Sequence, residues 1–401
     1  MAKPSPRTIT PQDQAGRPRP IYAVWELTLR CDHACGHCGS RAVAPRPDEL
    51  ALDQLLEVAS QLVALQTREV TLIGGEAYLS PHLHDIVRFL HHGGVRVTMQ
   101  TGGRGLTLEL ARSLKEAGMA AVGVSVDGPE GPHNTLRGAP GSHAAAMRAL
   151  RNAAQAGLIT TANSQVNALN ADHLPETAEL LAEAGVRIWR CQLTVPMGRA
   201  ADKPEWILPP WRVLDVIDTL AQVQTDFIER AGGDLGKLFN VLISNNLGYY
   251  GPHEVLLRSN PGGDARWWQG CQAGTYTLGI ESDGTIKGCP SLPTAPYTGG
   301  KVQDLGLEQI WEHAPELQFV RGRDESELWG FCAGCAYASD CMAGCSFTTH
   351  CTLGRRGNNP FCYHRAHQLK QQGQREVLVP VERAGGVPYD FGRFEIRVED
   401  W

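Results

Sequence analysis

The 401-residue sequence lacks the features that mark several broad classes of protein. It has no run of about 18 or more apolar residues, so no transmembrane helix is expected. Residues 1–20 are polar and proline-rich without an apolar centre, which excludes a signal peptide. The net charge is −6, from 43 acidic and 37 basic residues with no long run of one sign, which argues against a nucleic-acid-binding surface. We therefore expect a cytoplasmic protein whose partners include neither a membrane nor a nucleic acid.

Cysteine, in contrast, is abundant, with 12 residues. Thiols stay reduced in the cytoplasm, so these residues are better interpreted as metal ligands than as disulfides. Cys31, Cys35 and Cys38 form a C-x3-C-x2-C pattern just after an apolar run at residues 22–29, with no fourth cysteine nearby. A structural zinc site needs four closed ligands, and an electron-transfer cluster needs a fourth thiolate. Three thiolates on one loop can instead hold a [4Fe–4S] cluster whose fourth iron is free to bind a small molecule; three merely buried small cysteines are the alternative.

Short apolar runs alternate with amphipathic segments from residue 22 to about residue 196, in units of roughly 30 residues. The predicted strands are Ala23–Leu29, Glu69–Ile73, Val95–Gln100, Ala121–Val126, Thr160–Val166 and Arg187–Val195. The predicted helices are Asp48–Leu65, Pro81–His92, Thr107–Ala117, Gly141–Ala156, Leu174–Ala184 and Pro209–Arg230. Such alternation indicates an α/β fold with a parallel sheet and right-handed crossovers.

The cysteine spacing resembles the signature of the radical S-adenosylmethionine (SAM) superfamily, in which the free iron binds the amino and carboxylate groups of SAM. The resemblance implies a partial (β/α)6 TIM barrel, with the chemistry at the carboxyl ends of the strands. His37 stands where that family usually has an aromatic residue, and we expect it in the cofactor pocket.

Further matches to the superfamily follow the second, third and fourth predicted strands. The resemblance implies SAM contacts from Gly74, Gly75, Glu76, Thr101, Ser125 and Arg137. The Gly-Gly-Glu motif would bind the SAM amino group through backbone carbonyls, since glycine allows a ligand to approach closely. Arg137 would pair with the SAM carboxylate through a charge-assisted contact, and a solvated surface arginine is the alternative. Gly102 stands where relatives often have Asn.

A second cysteine pattern occupies the C-terminal third. It resembles the seven-cysteine SPASM domain through Cys271, Cys289, Cys332, Cys335, Cys341, Cys345 and Cys362. The resemblance implies two auxiliary [4Fe–4S] clusters, the first held by Cys271, Cys289 and Cys345 and the second by the other four cysteines. Cys351 is the alternative to Cys362, and a zinc ribbon is the alternative for the four cysteines from 332 to 345. The first auxiliary cluster lacks a fourth cysteine, so it is either open to substrate or capped by another group.

These motifs divide the chain into five parts. We predict an N-terminal arm at 1–20, a radical SAM core at 21–231, an irregular bridge at 232–268, a Fe–S-binding SPASM extension at 269–371 and a tail at 372–401. The tail has strand-like pieces that could pair with a peptide by β-addition, and docking on its own domain is the alternative. No leader-binding domain is expected before the first strand.

The resemblance also implies the function. In the superfamily, SAM is cleaved by a reduced cluster to a 5′-deoxyadenosyl radical, which abstracts hydrogen from a substrate, and SPASM relatives mostly modify peptides. We therefore expect a radical SAM oxidoreductase with three [4Fe–4S] clusters, SAM, a low-potential electron donor such as flavodoxin or ferredoxin, and a ribosomally made precursor peptide that receives a crosslink or other oxidative change. Alternatives are peptide epimerisation with a hydrogen donor such as Cys191 or Cys351, small-molecule dehydrogenation, and a non-enzymatic Fe–S electron carrier.

Overall fold

The computed structural model describes residues 5–401. Its strands are β1 Tyr22–Glu26, β2 Glu69–Ile73, β3 Arg96–Thr101, β4 Met119–Ser125, β5 Ile159–Val166, β6 Ile188–Leu193, β7 Asn240–Ile243, β8 Thr277–Ile280, β9 Thr285–Lys287, β10 Thr298–Lys301, β11 Gln374–Glu382 and β12 Arg393–Asp400. Its helices are α1 Pro11–Ala15, α2 Leu52–Ala64, α3 Leu83–His92, α4 Leu108–Glu116, α5 Glu130–Arg137, α6 Ser142–Gln155, α7 Leu174–Glu183, α8 Val213–Ala231, α9 Glu254–Arg258, α10 Thr294–Tyr297, α11 Val302–Leu305, α12 Leu307–His313, α13 Pro315–Gln318, α14 Ala338–Cys341, α15 Ser346–Leu353 and α16 Tyr363–Gln371.

Ten strands form one sheet in the order β10-β9-β8-β1-β2-β3-β4-β5-β6-β7. From β8 through β1 to β7 every neighbouring pair is parallel, whereas β9 and β10 are antiparallel additions. The predicted α/β fold class is confirmed by this mostly parallel sheet with its helical crossovers. Because the carboxyl ends of parallel strands lie at one edge, the loops that follow β1 to β6 meet there.

The helices form because their apolar residues recur on one face. In α2 the buried positions are Leu55, Val58, Ala59 and Leu62, the spacing of a single helical stripe. The matching faces of the other crossover helices pack on the outward side chains of the strands, such as the fully buried Trp25 of β1. This continuous core fixes the positions of the strand ends, and therefore of the loops that carry the site.

All six predicted strands are present, with ends that differ by a few residues. The prediction of an irregular bridge over residues 232–268 is wrong at Asn240–Ile243, which forms β7 and pairs with β6, and at Glu254–Arg258, which forms α9. Elements of four and five residues are too short to show a strand or helix period, so periodicity could not detect them. In the tail, β11 and β12 pair with each other in antiparallel register.

The N-terminal arm closes the end of the sheet opposite the loops described below. The Arg7 guanidinium stacks 3.7 Å from the centre of the Tyr22 ring and forms an ion pair with the buried Glu69 at the start of β2. In α1 the buried Asp13 accepts hydrogen bonds from the side chain of Arg68, at 2.7 and 2.9 Å. Charged contacts therefore hold the arm on the amino ends of the strands.

Candidate functional site

The loop after β1 carries the first three cysteines. Cys31, Cys35 and Cys38 are half-buried free thiols. The loop is held from two sides, because Arg199 donates its Nε to the Cys35 carbonyl at 2.6 Å and its backbone N–H to the Cys38 carbonyl at 3.0 Å. The Gly36 N–H donates to the carbonyl of Leu136 in α5 at 2.8 Å. The three thiols are therefore presented by a backbone that the surrounding chain fixes.

The Gly-Gly-Glu segment after β2 runs directly against this loop. The Gly75 N–H donates to the Thr28 carbonyl at 2.7 Å, and the Glu76 N–H donates to the Arg30 carbonyl at 2.9 Å. A Cβ atom at Gly74 or Gly75 would collide with those same two carbonyls. Only glycine allows the two segments to approach this closely, so the motif forms one wall of the site with the cysteine loop.

The Glu76 side chain organises the end of β3. It is 3% exposed, and its two carboxylate oxygens accept hydrogen bonds from the Thr101 hydroxyl at 2.5 Å and the Gly102 N–H at 2.6 Å. Burial raises the pKa of Glu76 to about 7. The Thr101 hydroxyl also accepts from the Gly103 N–H at 2.9 Å. The polar groups of Thr101 and Glu76 are therefore engaged with protein partners, which suits residues that position the pocket.

The structure explains why glycine stands at position 102. A Cβ atom there would lie 2.8 Å from Oε1 of Glu76 and 2.9 Å from Cε1 of His33. His33 lies between the first two cysteines of the loop, and its ring fills the space that a larger residue at 102 would need. Sequence analysis missed His33, for which the only signal was its place inside the cysteine motif.

Arg137, the last residue of α5, is buried, so the alternative of a solvated surface arginine is wrong. Its guanidinium donates to Oδ2 of Asp127 through Nε at 2.7 Å, and Nη2 lies 2.6 Å from the same oxygen. Its Nη1 lies 3.9 Å from the Cys35 sulfur. Asp127 is fully buried and also accepts from the Gln165 N–H at 2.8 Å. One buried carboxylate, which sequence analysis missed, therefore aims Arg137 at the cysteine loop.

His37 contacts both α5 and Asp127, next to Arg137. Its Nδ1 lies 3.1 Å from the Leu136 carbonyl, so this nitrogen carries the proton and donates it. Its Nε2 lies 3.6 Å from Oδ2 of Asp127, and burial lowers the pKa of His37 to about 4. The structure thus places His37 between the loop and α5 as a neutral ring. Ser125, another predicted contact, lies half-buried at the end of β4, beside Asn163 of β5.

Cys191 lies on the face of β6 that packs against the helices, and not on the face toward the inside of the barrel, where a hydrogen donor to the substrate would be needed. It is fully buried in the core with Trp189 and Leu193, on the helix-covered face. Arg190 and Gln192 alternate with them on the inner face. Its thiol is enclosed by apolar side chains, which argues against Cys191 as the hydrogen donor of the epimerisation alternative.

Three of the C-terminal cysteines, Cys271, Cys289 and Cys345, form what we call the first auxiliary set. Burial, followed by the charges of Cys271 and Cys289, raises the pKa of the Cys345 thiol to about 12. Burial likewise raises the pKa of Cys289 to about 11. The Cys345 N–H donates to the hydroxyl of the buried Tyr249 at 3.1 Å. The structure therefore brings the three thiols together, and a cation bound among them would favour the ionised form of Cys289 and Cys345.

The second auxiliary set lines a small pocket that is partly open to solvent. Its members are Cys332, Cys335, Cys341 and Cys362. Cys351 is not among the residues that line this pocket; it is fully buried within α15. The structure thus groups Cys362, rather than Cys351, with the other three thiols.

Aromatic residues of the bridge connect the two auxiliary sets. Tyr249 accepts from Cys345 with its hydroxyl, and its carbonyl lies 3.7 Å from the Cys362 sulfur. The indole N–H of Trp268 donates to the Cys341 carbonyl at 3.0 Å. Sequence analysis gave these residues no role, because a bridge rich in Gly, Asn and Trp has no pattern that marks them.

A buried charged network lies between the barrel and the C-terminal region. The Tyr389 hydroxyl, in the turn between β11 and β12, donates to the carboxylate of Glu26 at the end of β1. Glu26 also accepts from the Ser282 hydroxyl at 2.9 Å. Nearby, the fully buried ammonium of Lys287 lies 2.7 Å from Glu281 and 3.9 Å from the centre of the Tyr389 ring. The network ties the strand that precedes the cysteine loop to the strand that precedes Cys289.

Comparison with known proteins decides the family. Residues 25–181 match the model of the Radical SAM superfamily, and residues 271–336 match the SPASM model, described as an iron-sulfur cluster-binding domain. The mycofactocin maturase MftC of Mycobacterium ulcerans (strain Agy99) is 30% identical over 370 residues, which cover 90% of this chain and 92% of that protein. The chain belongs to the radical SAM superfamily.

Other relatives agree with this assignment. An AdoMet-dependent heme synthase of Methanosarcina barkeri is 26% identical over 349 residues, covering 86% of this radical SAM chain and 97% of that protein. Among solved structures, anSMEcpe with bound AdoMet and Kp18Cys peptide superposes with a TM-score of 0.68 at 18% identity, over 87% of this chain and 95% of that one. At that identity, the superposition shows a shared fold.

The residues of this radical SAM protein fit the groups that its family implies. Ten half-buried or buried free thiols lie in the three groups described above, with three, three and four members. In the first group, burial raises the pKa of Cys31 to about 12 and that of Cys35 to about 11. Thiols of this kind ionise when iron supplies the neutralising charge. Within residues 5–401, no helix combines the length and the apolar character needed to cross a membrane.

Proposed function

We propose that the protein is a peptide maturase that uses SAM to install a crosslink or other oxidative modification in a ribosomally made precursor peptide. The observation that carries the proposal is the three-cysteine loop against the Gly-Gly-Glu wall, in a chain 30% identical to a mycofactocin maturase over almost its whole length. The heme synthase relative has lower identity, at 26%. A low-potential donor such as flavodoxin or ferredoxin would supply the electrons.

In this proposal the cysteine loop binds one [4Fe–4S] cluster through Cys31, Cys35 and Cys38. When bound, the cluster and SAM supply an electron and a 5′-deoxyadenosyl radical that abstracts hydrogen from the peptide. The carbonyls of the Gly-Gly-Glu segment would accept from the SAM amino group, and Arg137, whose Nη1 lies 3.9 Å from the Cys35 sulfur, would pair with the SAM carboxylate. Glu76, Thr101 and His37 hold the walls in place, since their polar atoms already bind protein groups.

The auxiliary sets would bind two further [4Fe–4S] clusters. The second auxiliary set offers four thiols in one pocket, which completes the coordination of a cluster. The first auxiliary set offers three, so one iron keeps a position for the substrate or another ligand. That open position suits a cluster that receives the electron released when an oxidised peptide product forms. A redox-neutral epimerisation has no electron to remove.

The experiment is a reaction of the anaerobically reconstituted protein with SAM, a low-potential reductant and synthetic peptides from any short open reading frames found beside its gene, analysed by mass spectrometry. We expect a peptide product with a mass loss of two hydrogens or another oxidative change. Cys289→Ala, which removes one ligand of the first auxiliary set, should still yield 5′-deoxyadenosine but little modified peptide. Cys191→Ala, in the apolar core, is the matched control and should modify the peptide normally.

A folded Cys289→Ala variant that modifies the peptide at the normal rate would contradict the electron-accepting role of this cluster. Because metal binding and folding are coupled, the iron content and solubility of each variant are measured alongside. A wild-type protein that turns SAM over but leaves every such peptide unchanged would contradict the assignment as a peptide maturase.

A further inference from the structure

Three polar side chains on the inner face of β5 and β6 have no role in the chemistry described so far. They belong to Gln165, Gln192 and Arg190, which we call the inner wall. In β6, Arg190 and Gln192 flank the core residue Cys191, and in β5, Gln165 precedes the core residue Val166, so the three side chains point away from the core. Gln165 pairs in register with Gln192, and Arg190 is the next residue of β6 on the same face. The inner wall therefore runs from the carboxyl ends of the two strands into the barrel.

The side chains of the inner wall have no partners within the protein. Among residues 5–401, neither glutamine amide makes a hydrogen bond, and the Arg190 guanidinium makes no hydrogen bond and no ion pair. All three residues are half-buried, and none of their polar side-chain atoms is sealed from solvent. Polar groups inside folded proteins are ordinarily satisfied by other groups, so three adjacent ones without partners mark a place where a ligand binds.

Arg190 lies in a region of the barrel with more positive than negative charge. Burial lowers the pKa of its guanidinium, followed by the charge of Arg7, whereas Tyr22 and Glu69 act in the opposite direction. Glu69 is already engaged, because both Arg7 and Arg96 form ion pairs with it. One carboxylate thus serves two other guanidinium groups, and Arg190 is left without a counter-ion. A partly enclosed charge without a partner costs free energy, which a bound anion would offset.

The inner wall lies beside the proposed SAM site. The Gln165 N–H donates to Oδ1 of Asp127 at 2.8 Å. The other oxygen of that carboxylate accepts from the Arg137 Nε at 2.7 Å, and the same guanidinium lies 3.9 Å from the Cys35 sulfur through its Nη1. One buried carboxylate therefore connects the strand that carries Gln165 to the arginine at the cysteine loop. A group bound by the inner wall would lie close to the SAM that this loop holds.

The donors and acceptors of the inner wall match one residue of an acidic peptide. A guanidinium presents paired N–H donors whose geometry fits a carboxylate. A glutamine amide both donates and accepts, so it fits the C=O and N–H groups of a peptide backbone. A neutral or basic side chain in this position would leave the charge of Arg190 without a partner.

We propose that the inner wall binds the peptide residue that enters the barrel, and that this residue carries a carboxylate. The carboxylate pairs with Arg190, and Gln165 and Gln192 bind the backbone amide groups next to it. Either an acidic side chain or the C-terminal group of the peptide supplies this chemistry. The inference rests on the proposed function, since it names the chemical class of the residue presented to the same site.

Three radiolabelled model peptides distinguish the sources of the carboxylate. Ac-Ala-Glu-Ala-NH2 has a side-chain carboxylate, Ac-Ala-Gln-Ala with a free C-terminus has a terminal one, and Ac-Ala-Gln-Ala-NH2 has neither. Their binding to the reconstituted full chain in the presence of SAM is measured by equilibrium dialysis. Arg190→Met removes the charge with little change in length. Arg187→Met is the matched control, because Arg187 is exposed and donates to the Lys237 carbonyl.

We expect the wild type to bind at least one carboxylate peptide about tenfold more tightly than the neutral peptide, the effect of a charged hydrogen bond. Arg190→Met should lose this preference, and Arg187→Met should keep it. The peptide that shows the preference identifies the source of the carboxylate. If Arg190→Met does not assemble its clusters, Arg190→Gln replaces it in the comparison.

Three results would overturn the inference. They are a wild type without a preference for either carboxylate peptide, a preference that persists in Arg190→Met, and an equal loss of preference in Arg187→Met. Binding of radiolabelled SAM is measured on the same samples, and a tenfold loss of SAM affinity in Arg190→Met would assign its guanidinium to the SAM carboxylate and also overturn the inference.

These measurements keep the inference apart from the proposed function, because binding of the model peptides does not require that a peptide is modified. A carboxylate preference that depends on Arg190, in a protein that modifies none of the encoded peptides, supports the binding site and contradicts the maturase assignment. A protein that modifies an encoded peptide but shows no preference for a carboxylate contradicts only the role of the inner wall.

Discussion

Tyr389 and Glu26 are joined by a hydrogen bond across 363 positions of the sequence. The bond links the turn of the C-terminal hairpin to the strand that leads into the cysteine loop. The turn is also held by Asp390, whose carboxylate accepts from the Arg41 Nε at 2.7 Å and whose carbonyl accepts from the Gly198 N–H at 2.7 Å. The tail is therefore part of the wall around the mouth of the barrel.

Removing the Tyr389 hydroxyl should destabilise this wall. In Tyr389→Phe, the buried Glu26 carboxylate loses a donor, and we expect the free energy of unfolding to fall by about 1.5–3 kcal/mol, as for a hydrogen bond to a charged group. Tyr276→Phe is the matched control, because the Tyr276 hydroxyl makes only a 3.5 Å contact with the Asp13 carbonyl. Urea unfolding of the reconstituted proteins measures both, and equal stability of the two variants would contradict the assigned role of Tyr389.

Cluster content tests the assignment of the ten cysteines. Anaerobically reconstituted wild type should contain three [4Fe–4S] clusters, roughly 12 iron ions per chain. The triple variant Cys31→Ala/Cys35→Ala/Cys38→Ala should keep two clusters, because the auxiliary sets lie elsewhere. Iron and sulfide analysis with Mössbauer spectroscopy measures the clusters. Tightly bound zinc without labile sulfide in the C-terminal region would contradict both auxiliary sites.

Replacing Cys362 or Cys351 by alanine should have opposite effects on the cluster of the second auxiliary set. Cys362→Ala should lose that cluster, since it removes one of the four thiols that line the pocket. Cys351→Ala should keep all three clusters, because its thiol is enclosed within the core. The iron content of the two variants decides between them. A full iron content in Cys362→Ala, with a loss in Cys351→Ala, would reverse the assignment.

Arg137 should affect both stability and SAM affinity. Arg137→Ala leaves Asp127 as an unpaired buried charge, which we expect to cost about 3–5 kcal/mol of stability. The double variant Arg137→Ala/Asp127→Asn should recover much of that stability, because the unpaired charge is gone. The double variant should nevertheless bind SAM less tightly than the wild type, with a binding free energy weaker by about 1.5–3 kcal/mol. Equilibrium dialysis of the double variant measures this, and a normal affinity would remove Arg137 from the SAM site.

The sequence predicted what depends on local pattern. The βα alternation predicted the six strands, and the cysteine and Gly-Gly-Glu motifs predicted segments that the structure brings side by side. It could not predict β7, whose four residues show no period. Nor could it predict the partners of Arg137 and Glu26, which are separated from them by 10 and 363 residues, because buried ion pairs depend on the packed tertiary structure.

The choice between Cys362 and Cys351 as the last cluster ligand also depends on tertiary structure. Both cysteines follow the C-x2-C-x5-C-x3-C segment, so spacing left the alternative open. Cys351 is fully buried within α15, whereas Cys362, the residue before α16, lines the pocket with the other three thiols, and both positions are set by packing.

The most direct test of the central claim is the fate of SAM. The reconstituted wild type, incubated anaerobically with SAM and dithionite, is analysed for 5′-deoxyadenosine by liquid chromatography and mass spectrometry. We predict 5′-deoxyadenosine and methionine from the wild type and from Cys191→Ala, and none above background from the triple variant of Cys31, Cys35 and Cys38. A wild-type protein that carries its clusters, binds SAM and forms no 5′-deoxyadenosine would contradict the assignment of radical SAM chemistry to this site.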